Sequence, residues 1–238
     1  MGAGAATPGD AVLTIGTSGV ACIVDHAFHP GPDVAVLTSA HAAPDTFLSM
    51  GVVMSATASL DWAARLGGTT AAELAGQAGA LSLARMAQAP VFLPCLTGIR
   101  TPFNRPGQMG RIDGLHPGVD AAMLGYATME GVAFQMADCV AAQRRVGVKP
   151  LRFVAVGGGA KSDLWVRLLA SALGAPIGLP QRADIAGPAG AARLARVAAG
   201  EPLSVMTEPL PLVRVVEPEP ELVDLLAARK SRFDALLV

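Results

Sequence analysis

The stretch from Leu151 to Gly174, LRFVAVGGGAKSDLWVRLLASALG, limits what this chain can fold into more than any other. An apolar run containing Phe153, Val154 and Val156 breaks at Gly157, Gly158 and Gly159, and from Asp163 the apolar positions recur with helical spacing. A strand, a glycine turn and a helix in that order aim backbone N–H groups and the positive end of a helix dipole at one point, which suits an anion. Glycines there let the backbone approach a ligand without Cβ clashes and permit positive φ. The segment reads as a nucleotide-binding turn, with a plain strand-to-helix turn as the alternative.

Three known phosphate turns compete for these residues. A P-loop needs G-x-x-x-x-G-K-[ST], and AVGGGAKS carries Ala155 and Ala160 where the two glycines belong. A dinucleotide turn needs G-x-G-x-x-G, and Ser162 replaces its third glycine. The adenosine turn of the actin-like ATPases and sugar kinases, G-G-G/A-x-x at a strand-to-helix junction, fits best.

The rest of the chain alternates strand and helix patterns, an α/β arrangement. Ala11–Ile15 and Val20–Val24 read as strands joined by Gly16-Thr17-Ser18-Gly19, and Val34–Thr38 and Thr46–Met50 as a further pair. Helical periodicity is read from Ser49 to Leu66, stopping at Gly67-Gly68. A second helix runs from a Thr70 cap to about Met86, with Glu73 completing a capping box. Prolines and glycines deny residues 91–114 a long regular element, and an irregular stretch of that length is usually functional. The longest helix spans about Gly118–Val146, and helices follow at Asp163–Leu173 and about Pro188–Ala199. Pro202–Pro220 reads as a connector and Glu221–Leu237 as a terminal amphipathic helix.

Composition narrows the partners. With 52% hydrophobic and 16% charged residues the chain has a well-filled core, and no apolar stretch approaches a membrane span. A net charge of −1 offers no electrostatic footprint for nucleic acid or an anionic membrane. Cys22, Cys95 and Cys139 are isolated, and the first residues lack the pattern of a signal peptide, so a reducing, cytoplasmic setting is expected. His26, His29, His41 and His116 lack metal-ligand spacing. Glu130 is expected to make a structural hydrogen bond or ion pair, and Trp62 and Trp165 to belong to the core.

Five motifs occur in one order: TIGTSG, HAAPDTFLSMGVVMSATASLDWAA, FLPCLTGIRTPFNRPGQMGRIDGL, VAVGGGAKSDLW and GPAGAARLA. In that order the chain resembles the FGGY carbohydrate kinases over about residues 11–200, and within them the C-terminal half of a xylulokinase. The resemblance implies an actin-like, ribonuclease-H-like ATPase domain, the C-terminal half of a two-domain sugar kinase that uses ATP and Mg²⁺. It divides the chain into a nucleotide-binding domain over 1–205 and a connector with a C-terminal helix over 206–238. It implies that Gly16, Thr17 and Ser18 approach the β- and γ-phosphates. Gly158, Gly159 and Ala160 would approach the α-phosphate and ribose, Asp163 the adenosine, and Arg100 and Asn104 would line the nucleotide side of the cleft.

Ile99 stands where xylulokinases often carry Glu, and Met123 where the family usually has a polar residue. The family's aspartate base belongs to a segment upstream of the one aligned with Gly2–Ala6, so no residue here is assigned as catalytic, and Asp10 and Asp25 are not substitutes by position. The expected reading is a fragment that binds ATP, is inactive alone and lacks its N-terminal partner domain. A ketose such as D-xylulose is the implied substrate, and a second copy of the chain is a candidate partner. Gly159→Val is expected to abolish nucleotide binding while sparing the fold.

Overall fold

The computed structural model describes residues 1–181, 183–208 and 210–237. In chain order the strands and helices of the first half are β1 (Asp10–Ile15), β2 (Gly19–Asp25), β3 (Leu37–Ala40), β4 (Phe47–Val53), α1 (Thr57–Leu66), α2 (Ala71–Gly79), α3 (Leu83–Gln88), β5 (Val91–Leu93) and β6 (Arg111–Asp113). Then come α4 (Ala121–Arg145), β7 (Arg152–Val156), α5 (Asp163–Leu173), β8 (Ile177–Pro180), α6 (Ala186–Ala198), β9 (Leu212–Val216) and α7 (Pro220–Ala235). Seven strands form one sheet in the order β3-β4-β2-β1-β7-β8-β9, and β5 and β6 form a separate ribbon. β1 runs parallel to β7 and antiparallel to β2, so the chain reverses its sense of pairing at β1.

The two-residue period of the strands explains the layers. Ala11, Leu13 and Ile15 of β1 and Phe153 and Ala155 of β7 point into the main core, where α4 packs between the sheet and α1, α2 and α5. Val154 and Val156 point the other way and meet Ala3, Ala5 and the start of α6. α4 is buried around much of its circumference, including Tyr126, Met129, Phe134 and Met136, as expected of a helix covered on several sides. Trp165 is fully buried and Trp62 partly so, the Trp62 ring 5.6 Å from that of Phe92.

Several boundaries differ from the periodicity. Ser49–Val53 is the end of β4, paired with Gly19–Ile23, and α1 starts only at Thr57. An apolar run is ambiguous between the two periods until a strand partner claims it. The Thr70 capping box forms as read, but Ser82 caps anew and divides Thr70–Met86 into α2 and α3. Pro32–Val34 is a 3₁₀ turn, so the strand expected from Val34 begins at Leu37. Within the expected connector, which also contains the undescribed Pro209, β9 adds an edge strand antiparallel to β8. Residues 91–114 are irregular except at their ends, where β5 and β6 pair.

A carboxylate at each end of the fold ties distant segments together. Asp10 accepts from the Ala6 and Thr7 amides at 3.0 and 2.9 Å, from the Thr7 hydroxyl at 2.7 Å and from Arg152 Nε at 2.9 Å. Glu130 on α4 is fully buried and accepts from Tyr126 Oη at 2.8 Å and from Arg229 of α7 at both oxygens. The remaining Arg229 donors go to the carbonyls of Ala87, Ala89 and Pro90, where α3 ends. Glu130 therefore makes the structural ion pair expected of it. The two ions satisfy each other's hydrogen bonds, the condition for keeping charge in a core.

Glu130→Leu leaves Arg229 buried and unpaired, and is expected to cost about 3–5 kcal/mol in urea unfolding; Glu130→Leu/Arg229→Leu should recover most of that loss. Burial raises the Asp10 carboxyl, but its bonds to Arg152 and Thr7 outweigh this and hold it below its ordinary value of 3.8. A lowered native pKa means that Asp10 stabilises the fold above the ordinary value and loses that share as the pH falls through the native one. The wild-type advantage over Asp10→Asn, expected to be about 1.5–3 kcal/mol near neutrality, should shrink in unfolding curves measured on the acid side of the ordinary value.

Candidate functional site

Two turns leave the sheet side by side. Thr14 of β1 lies opposite Val156 of β7 in the parallel pair, so Gly16-Thr17-Ser18 and Gly157-Gly158-Gly159 emerge from the same edge. The carboxyl ends of adjacent parallel strands are where open α/β sheets bind ligands. In the first turn the Gly16 amide donates to the Ser18 carbonyl, and the Ser18 hydroxyl donates to the Met54 carbonyl at 3.1 Å. The carbonyls of Gly16 and Thr17 accept from Thr57 and Ala56 at 2.9 and 2.8 Å, which fixes the start of α1 against the turn. Thr17 and Ser18 are exposed.

The glycines of the second turn do different work. Gly157 has φ +95°, and a Cβ there would lie 2.7 Å from the Ile15 carbonyl oxygen. A Cβ on Gly159 would run into the Ile15 side chain and crowd the Trp165 ring. Gly159 is buried and serves the packing of the turn onto β1. The expectation that Gly159→Val spares the fold is therefore corrected: valine there has no room. Gly158 is exposed, and a Cβ added to it would meet nothing within 4 Å, so its missing side chain leaves open space above the turn. Ala160 is half-buried against the core.

Beside this turn lies a cavity of about 540 Å³. One wall is Gly158, Gly159, Lys161, Ser162 and Asp163 at the start of α5, the other α2, with Thr57, Leu60 and Asp61 of α1. Ala72 stands three and four residues before Ala75 and Gly76, and Gly79 four and three after them; these four residues keep the α2 wall free of large side chains. Leu60, Leu164 and Trp165 make its floor apolar, and the buried Trp165 Nε1 has no hydrogen-bond partner among the described residues. Ser162 caps α5 through the Trp165 amide. Asp163 is bound to Arg214 of β9 at 2.6 Å and lies 3.9 Å from Arg167, which also grips Glu219.

Not all the expected residues meet here. Gly158, Gly159 and Asp163 line the cavity; Gly16, Thr17 and Ser18 sit next to it through Thr57; Ala160 is turned toward the core. Arg100 and Asn104 line a separate depression with Phe28, Val36 and Leu37 at the β3 edge. Ile99 and Met123, where the sequence departs from the family pattern, are both buried, and the Met123 sulfur accepts from Arg85. The α2 wall, Asp61 and Lys161 line the cavity and are not singled out by the sequence reading. The small-residue spacing of α2 is the available signal, and only the fold shows which helix face it lines. Among the described residues, no group of three His, Cys, Asp or Glu side chains is placed to hold a metal ion, and no helix is long and apolar enough to cross a membrane.

This geometry has relatives. The pattern described as "FGGY family of carbohydrate kinases, C-terminal domain" matches residues 11–199. The chain is 36% identical to a xylulose kinase of Escherichia coli K12 over 87% of its own length and 42% of the relative's. It is 34% identical to one of Klebsiella pneumoniae over 98% and 48%. A crystal structure described as a "xyloylose kinase" from Brucella ovis superposes with a TM-score of 0.92 at 36% identity, covering 99% of this chain and 48% of that one. The chain thus spans less than half the length of these relatives. Its sheet order, paired turns and sequence agree in one conclusion: the chain belongs to the FGGY family of carbohydrate kinases and corresponds to its C-terminal domain, with an actin-like ATPase fold.

Proposed function

We propose that this chain is the ATP-binding half of a kinase that phosphorylates a ketose, D-xylulose being the substrate its relatives favour. The observation that carries this reading is the open space over Gly158 beside an apolar slot walled by small residues, next to a second turn of exposed polar residues. The slot suits a nucleoside: it is lined mainly by apolar and small residues, with Asp61 as a hydrogen-bonding group on one wall. Its volume of about 540 Å³ lies within the range of small-molecule sites.

ATP, when bound, would supply the phosphoryl group, and Mg²⁺ would neutralise the charge of its phosphates. The chain's own residues bind and orient. Thr17 offers its amide and hydroxyl and Ser18 its amide to the terminal phosphates, the Ser18 hydroxyl being held by the Met54 carbonyl, and Gly158 lets the backbone come close to the first phosphate. Ala72, Ala75 and Gly76 exclude water from one face of the base. Asp163, held by Arg214, bounds the ribose side. Gly159 acts through packing, and Arg100 and Asn104 act outside the nucleotide slot. Phosphoryl transfer depends on positioning both substrates, so the sugar contacts and the base that accepts the hydroxyl proton are assigned to the part of the relatives that this chain does not span. The setting is taken to be cytoplasmic.

The test is ATP titration by calorimetry on the 238-residue chain, with coupled detection of ADP in the presence of D-xylulose. Binding without measurable transfer is expected. Gly76→Leu should keep the fold, since leucine favours a helix over glycine by close to ~1 kcal/mol. It should fill the slot and weaken ATP by about tenfold or more, ~1.4 kcal/mol. Gly158→Val should also weaken binding with an unchanged circular dichroism spectrum, whereas Gly159→Val should lower the unfolding midpoint. Equal ATP affinity in wild type, Gly76→Leu and Gly158→Val would remove the slot from the nucleotide site.

A further inference from the structure

Lys161 closes the glycine turn, lines the cavity and is exposed, yet it forms no hydrogen bond or ion pair with any described residue. Its position is electrostatically unfavourable. It directly precedes Ser162, the N-cap of α5, where the helix dipole is already positive and the first amides lack intrahelical acceptors. The acidic groups beside α5 are committed elsewhere. Asp163 is taken by Arg214 at 2.6 Å, with Arg167 at 3.9 Å, and Glu219 is gripped by Arg167. Asp61, on the opposite wall, makes no ion pair with Lys161. The turn thus gathers cations at a helix N-terminus and leaves one ammonium without a counter-charge among the described residues, on the wall of the slot.

We propose that Lys161 is a positioning residue for the nucleotide, its ammonium pairing with the phosphate chain of a nucleoside di- or triphosphate whose base lies in the slot. The inference rests on the nucleotide reading above and adds to it a charge contact that the glycines cannot make. Backbone amides recognise an oxyanion by geometry; a lysine recognises it as a point charge on a flexible stem. The ammonium therefore makes affinity depend on the number of phosphates, and opposes Asp61 so that the nucleotide enters with its phosphates toward the turn and its nucleoside toward α1 and α2.

The test is calorimetry of ATP, ADP and adenosine against the full 238-residue chain and Lys161→Gln, Lys161→Glu and Lys161→Arg. Lys161 is exposed and unpartnered, so these variants should fold as wild type does by circular dichroism. Lys161→Gln should weaken ATP about tenfold, the scale of one charge-assisted contact, ADP less, and adenosine not at all. Lys161→Glu should weaken ATP further, and Lys161→Arg should restore most of the affinity. Added salt should weaken ATP binding more in wild type than in Lys161→Gln. ATP affinity unchanged in Lys161→Gln, or an equal loss for adenosine, would overturn the role of Lys161 while leaving the slot as a nucleotide site. Failure of wild type to bind ATP or adenosine would overturn the nucleotide reading and this inference with it.

Discussion

The close approach of the glycine turn to the end of β1 is the constraint on which the site depends. Gly157 and Gly159 both meet Ile15, one at its carbonyl and the other at its side chain, and neither position has room for a Cβ. This contact sets the second turn against the first, because Ile15 leads directly into Gly16-Thr17-Ser18. It also seats Trp165 under the turn, so the first residues of α5 are held by the core. The parallel pairing of β1 with β7 brings the turns to the same edge, and the glycine contact fixes their spacing.

Around that contact the fold divides its polar work between structure and ligand. Glu130, Arg229 and Tyr126 form a buried group whose charges and hydrogen bonds are matched internally, and it joins α4, α7 and the end of α3. Asp10 and Arg152 do the same for the N-terminal segment. The residues facing the slot differ: Lys161 and Asp61 have no partners among the described residues, and the Trp165 indole nitrogen is left unpaired. Native interiors rarely leave a buried donor such as Trp165 Nε1 unmatched without a reason, whereas the exposed Lys161 and Asp61 are open to solvent and to a ligand. Asp163 and Ser162 line the same slot yet are held by Arg214 and the Trp165 amide, so the slot mixes committed and uncommitted groups.

Much of this was legible in the sequence. The β1–β2 hairpin, the Thr70–Glu73 capping box, the long α4 and the strand-turn-helix at residues 152–173 each carry a local signal: alternation, a cap, an uninterrupted helical run, or glycines at a junction. The motif order identified the family because five short patterns in one sequence are far more restrictive than any one glycine turn. Less legible were the elements whose form depends on a distant partner. Ser49–Val53 is a strand only because Gly19–Ile23 lies beside it, and Leu212–Val216 only because β8 presents an open edge. Their local composition is compatible with helix in one case and with a proline-punctuated connector in the other.

The sequence by itself determined the α/β class, the two glycine-bearing turns and the family. Local backbone preferences and motif order are encoded in neighbouring residues. Tertiary structure alone decided which glycine is free and which is packed, since three consecutive glycines are indistinguishable until Ile15 is placed against two of them. It also moved Arg100 and Asn104 to the β3 edge, turned the small face of α2 toward the start of α5, and left Lys161 without a counter-ion among the described residues by committing Asp163 to Arg214. These outcomes depend on contacts between residues far apart in the chain, and such contacts exist only after the chain has folded.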